Sequence, residues 1–323
     1  MTRLSVGILR GGTSNEYDLS LKTGAAMLTA LPEDRYETRD IFVDKRGYWH
    51  LRGTAVDAAR ALSQVDVVLN ALHGGVGEDG TVHRILDRSG IPYAGSRAHP
   101  SAATFNKIRA RDVLEQAGIR MPRGLAFSAT NGMNTGEMSL RVFKQFPPPY
   151  VVKPPSEGAA HGIRIASSLL DLPDELGDVL DAFGAAIVEE YVRGEEASVG
   201  VIEDFRNEEL YALPPALVLL PEGSKFMNLR HHIEGNLKHM VPSTFGHEQR
   251  RQLIDVARRA HRALGSSHFS RSDIIMTRRG PYLLEVNSLP GLYPGSSFPH
   301  MLDSVGSSIR EFLEHAIRLA MRS

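Results

Sequence analysis

The sequence predicts a mixed chain, an α/β unit followed by α+β units, on three observations. Over the first hundred residues strand-like and helix-like patterns alternate, the rhythm of βαβ connections and of a parallel sheet wrapped by helices. Strand patterns then predominate from Ala186 to Leu219. Near the C-terminus, two more strand patterns flank the turn Thr277-Arg278-Arg279-Gly280, with an amphipathic helix on either side of the pair.

In order along the chain, Leu4 to Leu9 is an apolar run stopped by Gly11-Gly12, read as a buried strand. Leu19 to Leu31 carries apolar residues at helical spacing. Tyr36 to Val43 and Val65 to Leu72 read as strands, Val82 to Leu86 as a short helix, and Ile91 to Gly95 as a strand and turn. Lys107 to Ala117 is a helix ended by Gly118. Tyr150 to Lys153 is a strand stopped by Pro154-Pro155, then comes the small-residue loop Ser156 to Gly162, and Ile163 to Ile165 resumes a strand. Pro221 to Pro242 has neither period and reads as a mobile loop. Gln249 to Leu264 places Leu253, Val256, Ala257, Ala260 and Leu264 on one helical face, and Ile309 to Met321 is a terminal amphipathic helix.

Composition narrows the function classes. Net charge is −1 from 37 basic and 38 acidic residues spread throughout, which is not the footprint of a nucleic-acid binder. Without cysteine there are no disulfides, thiolate metal sites or Cys nucleophile. No apolar run approaches the roughly 20 residues of a membrane span, and the N-terminal run is too short for a signal segment. The expectation is a cytoplasmic protein with no nucleic-acid or membrane partner.

The most informative stretch is Ser270 to Asn287. Glu285 and Asn287 are two apart and share a strand face, and a hairpin brings Asp273 to the neighbouring strand. Two carboxylates and an amide oxygen suit a hard divalent ion, Mg²⁺ or Mn²⁺, whose shell phosphates complete. Arg271 points to the same side. A polar outer face of an ordinary hairpin would show the same residues. The following Ser288-Leu289-Pro290-Gly291 and on to Ser297 looks like a loop built for close backbone approach to a ligand.

These residues resemble the D-alanine–D-alanine ligase family of the ATP-grasp superfamily along nearly the whole chain. The motifs are Gly11 to Glu16, Leu72 to Thr81, Ile91 to Ser96, Lys107, Val151-Val152-Lys153-Pro154, Glu189 to Glu196, and the hairpin with its Asn287 to Ser296 loop. The resemblance implies an ATP-grasp architecture with an N-terminal Rossmann-like (pre-ATP-grasp) parallel-sheet domain at 1–104. A central ATP-grasp subdomain at 105–188 and a C-terminal one at 189–323 would follow, the last carrying the metal and acceptor sites.

It also implies roles. Lys107 and Lys153 would neutralise ATP phosphates, and Glu157, Gly158 and Ala159 would belong to a loop folding over them. Backbone of Glu190, Tyr191 and Val192 would bond adenine, with Glu189 on its amine and Glu196 on ribose. Asp273, Glu285 and Asn287 would hold Mg²⁺. Arg271 and the Gly291 N–H would stabilise an oxyanion. Glu16 would bind the ammonium of a first D-alanine, His73 would lie near its carboxylate, and Ser296 would bind the carboxylate of the second. The partners implied are small amino acids, and a homodimer is allowed.

Two departures stand out. The family's paired serines in the phosphate loop are Ala159 and Ala160 here, and its lysine–tyrosine lid pair aligns with His231 and His232, beside Arg230. Another amino acid, peptide or hydroxy acid as acceptor is therefore a competing reading, and a non-catalytic nucleotide-binding relative is a third. Gly75 to Gly80 literally fits the dinucleotide fingerprint G-x-G-x-x-G, but Glu78 and Asp79 would repel a pyrophosphate and no acid lies about 20 residues on. No P-loop stretch exists. His231, His232 and His239 could suggest a metal site, although chance clustering accounts for them among 13 histidines.

Overall fold

A computed structural model describes residues 3–130, 132–219 and 237–322. Three sheets organise the chain. The first has the order β4-β3-β2-β1-β5-β6, from β1 (Leu4–Gly11), β2 (Tyr36–Val43), β3 (Trp49–Leu51), β4 (Thr54–Val56), β5 (Val67–Asn70) and β6 (Tyr93–Ala94). Its β2-β1-β5-β6 core is parallel, as the βαβ rhythm predicts, with α1 (Tyr17–Ala30) and α3 (Thr81–Ser89) in the crossovers. The antiparallel β3–β4 hairpin, α2 (Ala58–Leu62) and α4 (Ala98–Phe105) went unread in the sequence because each is short.

The second sheet, β7-β10-β8-β9, comprises β7 (Gly124–Ser128), β8 (Tyr150–Lys153), β9 (Arg164–Ala166) and β10 (Ala185–Glu190), all neighbours antiparallel. Its apolar face packs on α6 (Thr135–Phe143) and α7 (Leu172–Phe183) through Val142, Tyr150, Val152, Leu176 and Val179. The third sheet runs β14-β13-β11-β15-β16 with β12 on β11; its strands are β11 (Glu195–Phe205), β12 (Glu208–Ala212), β13 (Ala216–Leu219), β14 (Lys238–Met240), β15 (Phe269–Thr277) and β16 (Gly280–Asn287). Helix α5 (Lys107–Gln116) and helix α8 (His247–Ala263) cover it through Leu114, Leu253, Ala257 and Ala260, as the helical spacing predicts. Most of the Pro221 to Pro242 segment read as a mobile loop, and both His231 and His232, lie outside the described residues.

One core runs across the first and third sheets. Met27 of α1, Leu31 just after it, and Val6 and Leu69 of the first sheet meet Phe298 and Met301 of α9 (Ser297–Ser304) and Phe312, Leu313 and Ile317 of α10 (Ile309–Ala320). The terminal helix therefore caps the first sheet, although it lies at the far end of the chain. Truncating a buried aromatic such as Phe312 typically costs about 3–5 kcal/mol. This seam fixes the loops after β1 and β5 against the loop after β16, where the candidate site lies.

Candidate active site

A cavity of about 600 Å³ opens between the three sheets. Of the predicted site residues, all but Ser296 line it.

The metal candidates sit where β15 and β16 pair. Asp273 lies opposite Glu285 and Arg271 opposite Asn287, as the hairpin reading required. The register holds only because of a bulge: Ile274 pairs with Leu283, so Leu284 is an extra residue. Leu283 thus turns into the apolar core while Glu285 turns to the cavity, which strict alternation would forbid. Asp273 is buried and accepts from Ser198 Oγ at 2.7 Å, Asn287 Nδ2 at 2.9 Å and Arg271 Nη2 at 2.7 Å. Burial would raise Glu285, but Lys107, Lys153 and Arg271 outweigh it and hold its carboxyl below the usual range. Burial opposes the charge of Arg271, yet Asp273 and Glu285 more than offset this and keep it firmly cationic.

Charge balance tests whether a cation fits here. Burial, Asp273 and Glu285 together push Glu196 up to about 8, so this corner holds more acid than it can keep ionised. A divalent ion would relieve that repulsion, and an ionised Glu285, Asp273 and the Asn287 amide are oxygen donors of the type Mg²⁺ takes. Among the described residues no three His, Asp or Glu side chains form a metal cluster by themselves; the candidate set needs the amide.

The two lysines enter from different sheets. Lys107 opens α5, whose N-cap Asn106 accepts from the Ile108 and Arg109 N–H groups at 3.1 Å. Its Nζ donates to Glu157 O at 2.6 Å and lies 3.3 Å from Glu285. Lys153 ends β8, buried, with Nζ 2.7 Å from Glu189 Oε2. Arg111 Nη2 lies 2.5 Å from the other Glu189 oxygen. The Glu189 carboxylate, assigned by resemblance to the adenine amine, is thus held by two cations here. In the hinge, the Glu190 N–H donates to Arg123 O and the Tyr191 N–H to Pro149 O, and the Glu190 carboxylate takes Arg123.

The Ser156 to Gly162 loop leans on the segment between β1 and α1. A Cβ on Gly158 would lie 2.2 Å from Glu16 Oε1, so any larger residue here would displace the Glu16 carboxylate. Ala159 and Ala160 adopt φ of 46° and 57°, a strained pair for residues with a Cβ. His161 Nδ1 lies 3.2 Å from both Asn15 Nδ2 and Glu157 Oε2, and its ring meets Phe183 edge-on.

Glu16 precedes α1 at the end of the β1 loop. Burial first, then Glu78 and Glu285, push its carboxyl up to about 8. Glu78 is pushed to about 7 by burial, although the Gly74 N–H bonds its Oε1 at 2.8 Å. His73 lies beside them, its Nε2 2.7 Å from Thr23 Oγ1, and Thr23 also accepts from the Leu292 N–H at 3.4 Å. Ser296 stands apart: its hydroxyl donates to Gly291 O at 2.6 Å and does not reach the cavity wall. His239, from the histidine group, bonds Gly295 O through Nε2 at 3.1 Å.

Sequence reasoning missed Glu78, Arg111, Ser198 and Tyr293 as site residues. In the sequence Glu78 belongs to the Leu72 to Thr81 motif but carries no role beyond a charge unwelcome to a pyrophosphate. Arg111 lies one turn beyond Lys107 on the same helix, a spacing that could have flagged it. Ser198 is found only through strand pairing, and Tyr293 only through the path of the loop.

The comparisons with known proteins agree with this layout. The profile described as "D-ala D-ala ligase C-terminus" matches residues 113–318, and "D-ala D-ala ligase N-terminus" matches 52–96. The D-alanine–D-alanine ligase of Desulforudis audaxviator is 32% identical over 319 residues, covering 98% of each chain. That of Geobacter sulfurreducens is 33% identical over 320 residues, covering 97% of this chain and 92% of its own. Among solved structures, the D-alanine–D-alanine ligase from Bacillus anthracis complexed with ATP is 25% identical, with a TM-score of 0.80 over 99% of this chain and 98% of that one. The VanG D-Ala:D-Ser ligase from Enterococcus faecalis, 24% identical, shares the fold at a TM-score of 0.84 over 99% and 100%. With family models matched to residues 52–96 and 113–318 and relatives above 30% identity along nearly its full length, the chain belongs to the D-alanine–D-alanine ligase family.

Proposed function

We propose that the protein couples two D-alanine molecules at the expense of ATP, giving D-alanyl-D-alanine for peptidoglycan precursors, with the first carboxylate activated as an acyl phosphate. The observation that carries this is the convergence of Lys107, Lys153, Arg271, Asp273 and Glu285 on one cavity beside Glu16. Free carboxylates are poor electrophiles, and phosphorylation supplies a leaving group.

In this reading the Val192 N–H is the hinge donor to adenine, since the two amides before it are spent on backbone carbonyls. Glu196 takes the ribose, and Glu189 orients Lys153 toward the phosphates rather than touching the base. Mg²⁺ held by Asp273, Glu285 and Asn287 would supply neutralisation of phosphate charge. Glu16 and Glu78 receive the ammonium of the first amino acid, whose positive charge favours their ionised forms. The carboxylate then lies between His73 and Arg271. After its phosphorylation the second amine attacks the acyl carbon, and Arg271 and the Gly291 N–H stabilise the oxyanion, each such donor being worth about 3–4 kcal/mol. No covalent enzyme intermediate is needed. Among the described residues no helix is long and apolar enough to cross a membrane, and the reading places the enzyme in the cytoplasm.

Intact metal and lysine positions favour this over a non-catalytic relative. A phosphate-release assay across D- and L-amino acid pairs tests it. Release with D-alanine together with a D-alanyl-D-alanine product is expected. Measurable Mg–ATP binding with no release for any pair would refute it, and release with another acceptor alone would favour the related-ligase reading.

A further inference from the structure

One side chain of the Ser156 to Gly162 loop has no part in the proposed reaction yet touches both sides of the cavity. His161 lines the cavity, and its Nδ1 lies 3.2 Å from Glu157 Oε2 within the loop and 3.2 Å from the Asn15 side-chain amide across it. Asn15 directly precedes Glu16 in the segment between β1 and α1. Glu157 in turn accepts at its carbonyl from Lys107 Nζ at 2.6 Å. Phe183 of α7 backs the histidine ring edge-on, with centroids 5.4 Å apart. The His161 N–H closes the turn on Gly158 O at 3.0 Å.

Hydrogen-bond chemistry fixes which proton makes these contacts. A carboxylate only accepts, so Glu157 requires the proton on Nδ1. The Asn15 amide can turn over without change of shape and then offers its oxygen to the same N–H. One Nδ1 proton is thus shared between the loop and the N-terminal segment. The tie matters because backbone preference does not hold the loop in place. Ala159 and Ala160 sit at φ of 46° and 57°, a region that residues with a Cβ avoid. Freed from His161, both alanines gain by relaxing, and the loop draws away from Glu16, which it approaches at Gly158.

Resting on the ligase reading above, we propose that His161 is a positioning residue that couples nucleotide binding to amino-acid binding. It ties the loop assigned to the phosphates to the segment that carries Glu16. Each ligand, by ordering its own side of the tie, strengthens binding of the other, and the coupling is reciprocal as linkage requires. The path runs from Lys107 through Glu157 and His161 to Asn15, and every step is a direct contact.

The test measures the affinity of the full chain for Mg²⁺ with AMP-PNP, a non-hydrolysable ATP analogue, by calorimetry without and with saturating D-alanine. In the wild type D-alanine is expected to tighten the analogue by about tenfold. His161→Phe keeps the ring on Phe183 and loses Nδ1, and the tightening should fall to within about twofold while affinity without D-alanine moves less than about threefold. Asn15→Ala, at an exposed position, breaks the same contact without disturbing the ring and should do the same. The double variant should lose no more than either single one. Tightening retained in both single variants, or losses that add in the double variant, would overturn the inference. Affinity weakened equally with and without D-alanine, as a purely structural role would give, would overturn it as well. So would a wild type that turns over D-alanine yet shows no tightening, and that outcome leaves the ligase reading standing. A wild type that binds Mg–ATP and releases no phosphate with any amino-acid pair would refute the ligase reading and this inference with it.

Discussion

Replacing Glu189 by glutamine separates two roles for this residue. In the structure Glu189 is 4% exposed, with Lys153 at 2.7 Å on one oxygen and Arg111 at 2.5 Å on the other. Glu189→Gln leaves both cations facing a neutral amide in a site too dry to solvate them. Removing one partner from a buried ion pair typically costs about 3–5 kcal/mol. At about 2–4 °C per kcal/mol, melting should fall by on the order of 10 °C. The assay is thermal unfolding without nucleotide, paired with the ATP KM. Because Lys153 loses the group that aims it, the KM should rise as well. Were Glu189 chiefly a contact to the adenine amine, the variant would lose ATP affinity at unchanged stability. A melting temperature within about 1 °C of wild type, with ATP KM raised, would therefore refute the reasoning.

Three further outcomes follow from the site. Glu285→Ala should abolish turnover while circular dichroism stays native, since it removes the proposed metal donor that Lys107 and Lys153 keep ionised; retained activity would remove Glu285 from the proposed metal set. Gly158→Ala places a methyl 2.2 Å from Glu16 Oε1 and should raise the first amino acid's KM by about tenfold, equivalent to about 1.4 kcal/mol, measured by initial rates. The acid pair should also shape pH behaviour. Glu16 at about 8 and Glu78 at about 7 lie above the ordinary 4.5, so their contribution to stability is full below that value and is lost as pH rises through 7 and 8. Ammonium binding has the opposite sign, and the first amino acid's KM should fall as pH rises through the same window; Glu16→Gln should flatten both profiles.

Much of the fold could be read directly. Tyr36–Val43 and Tyr150–Lys153 emerge at their predicted bounds because Gly, Pro and turn residues punctuate both ends of a period-two or apolar run. The three-residue strands β3 and β4 carry too little pattern to be seen. The paired carboxylates of the hairpin were legible because both lie on strands joined by a short turn. Their shared direction was less secure, since it depends on the bulge at Leu284, which no local sequence signal marks. Glu189 shows the other limit. Resemblance supplies a residue type at a position, but the partners of a buried carboxylate are set by helix α5 bringing Arg111 from 78 residues away.

The central claim is that ATP activates a carboxylate by phosphorylating it, and oxygen tracing tests that step directly. D-Alanine labelled with ¹⁸O in its carboxylate is turned over with Mg–ATP, and the released phosphate and dipeptide are analysed by mass spectrometry. Attack of the carboxylate on the γ-phosphorus predicts one labelled oxygen in phosphate for each peptide bond formed, with ADP as the other product. Unlabelled phosphate, or AMP and pyrophosphate in place of ADP, would contradict the account.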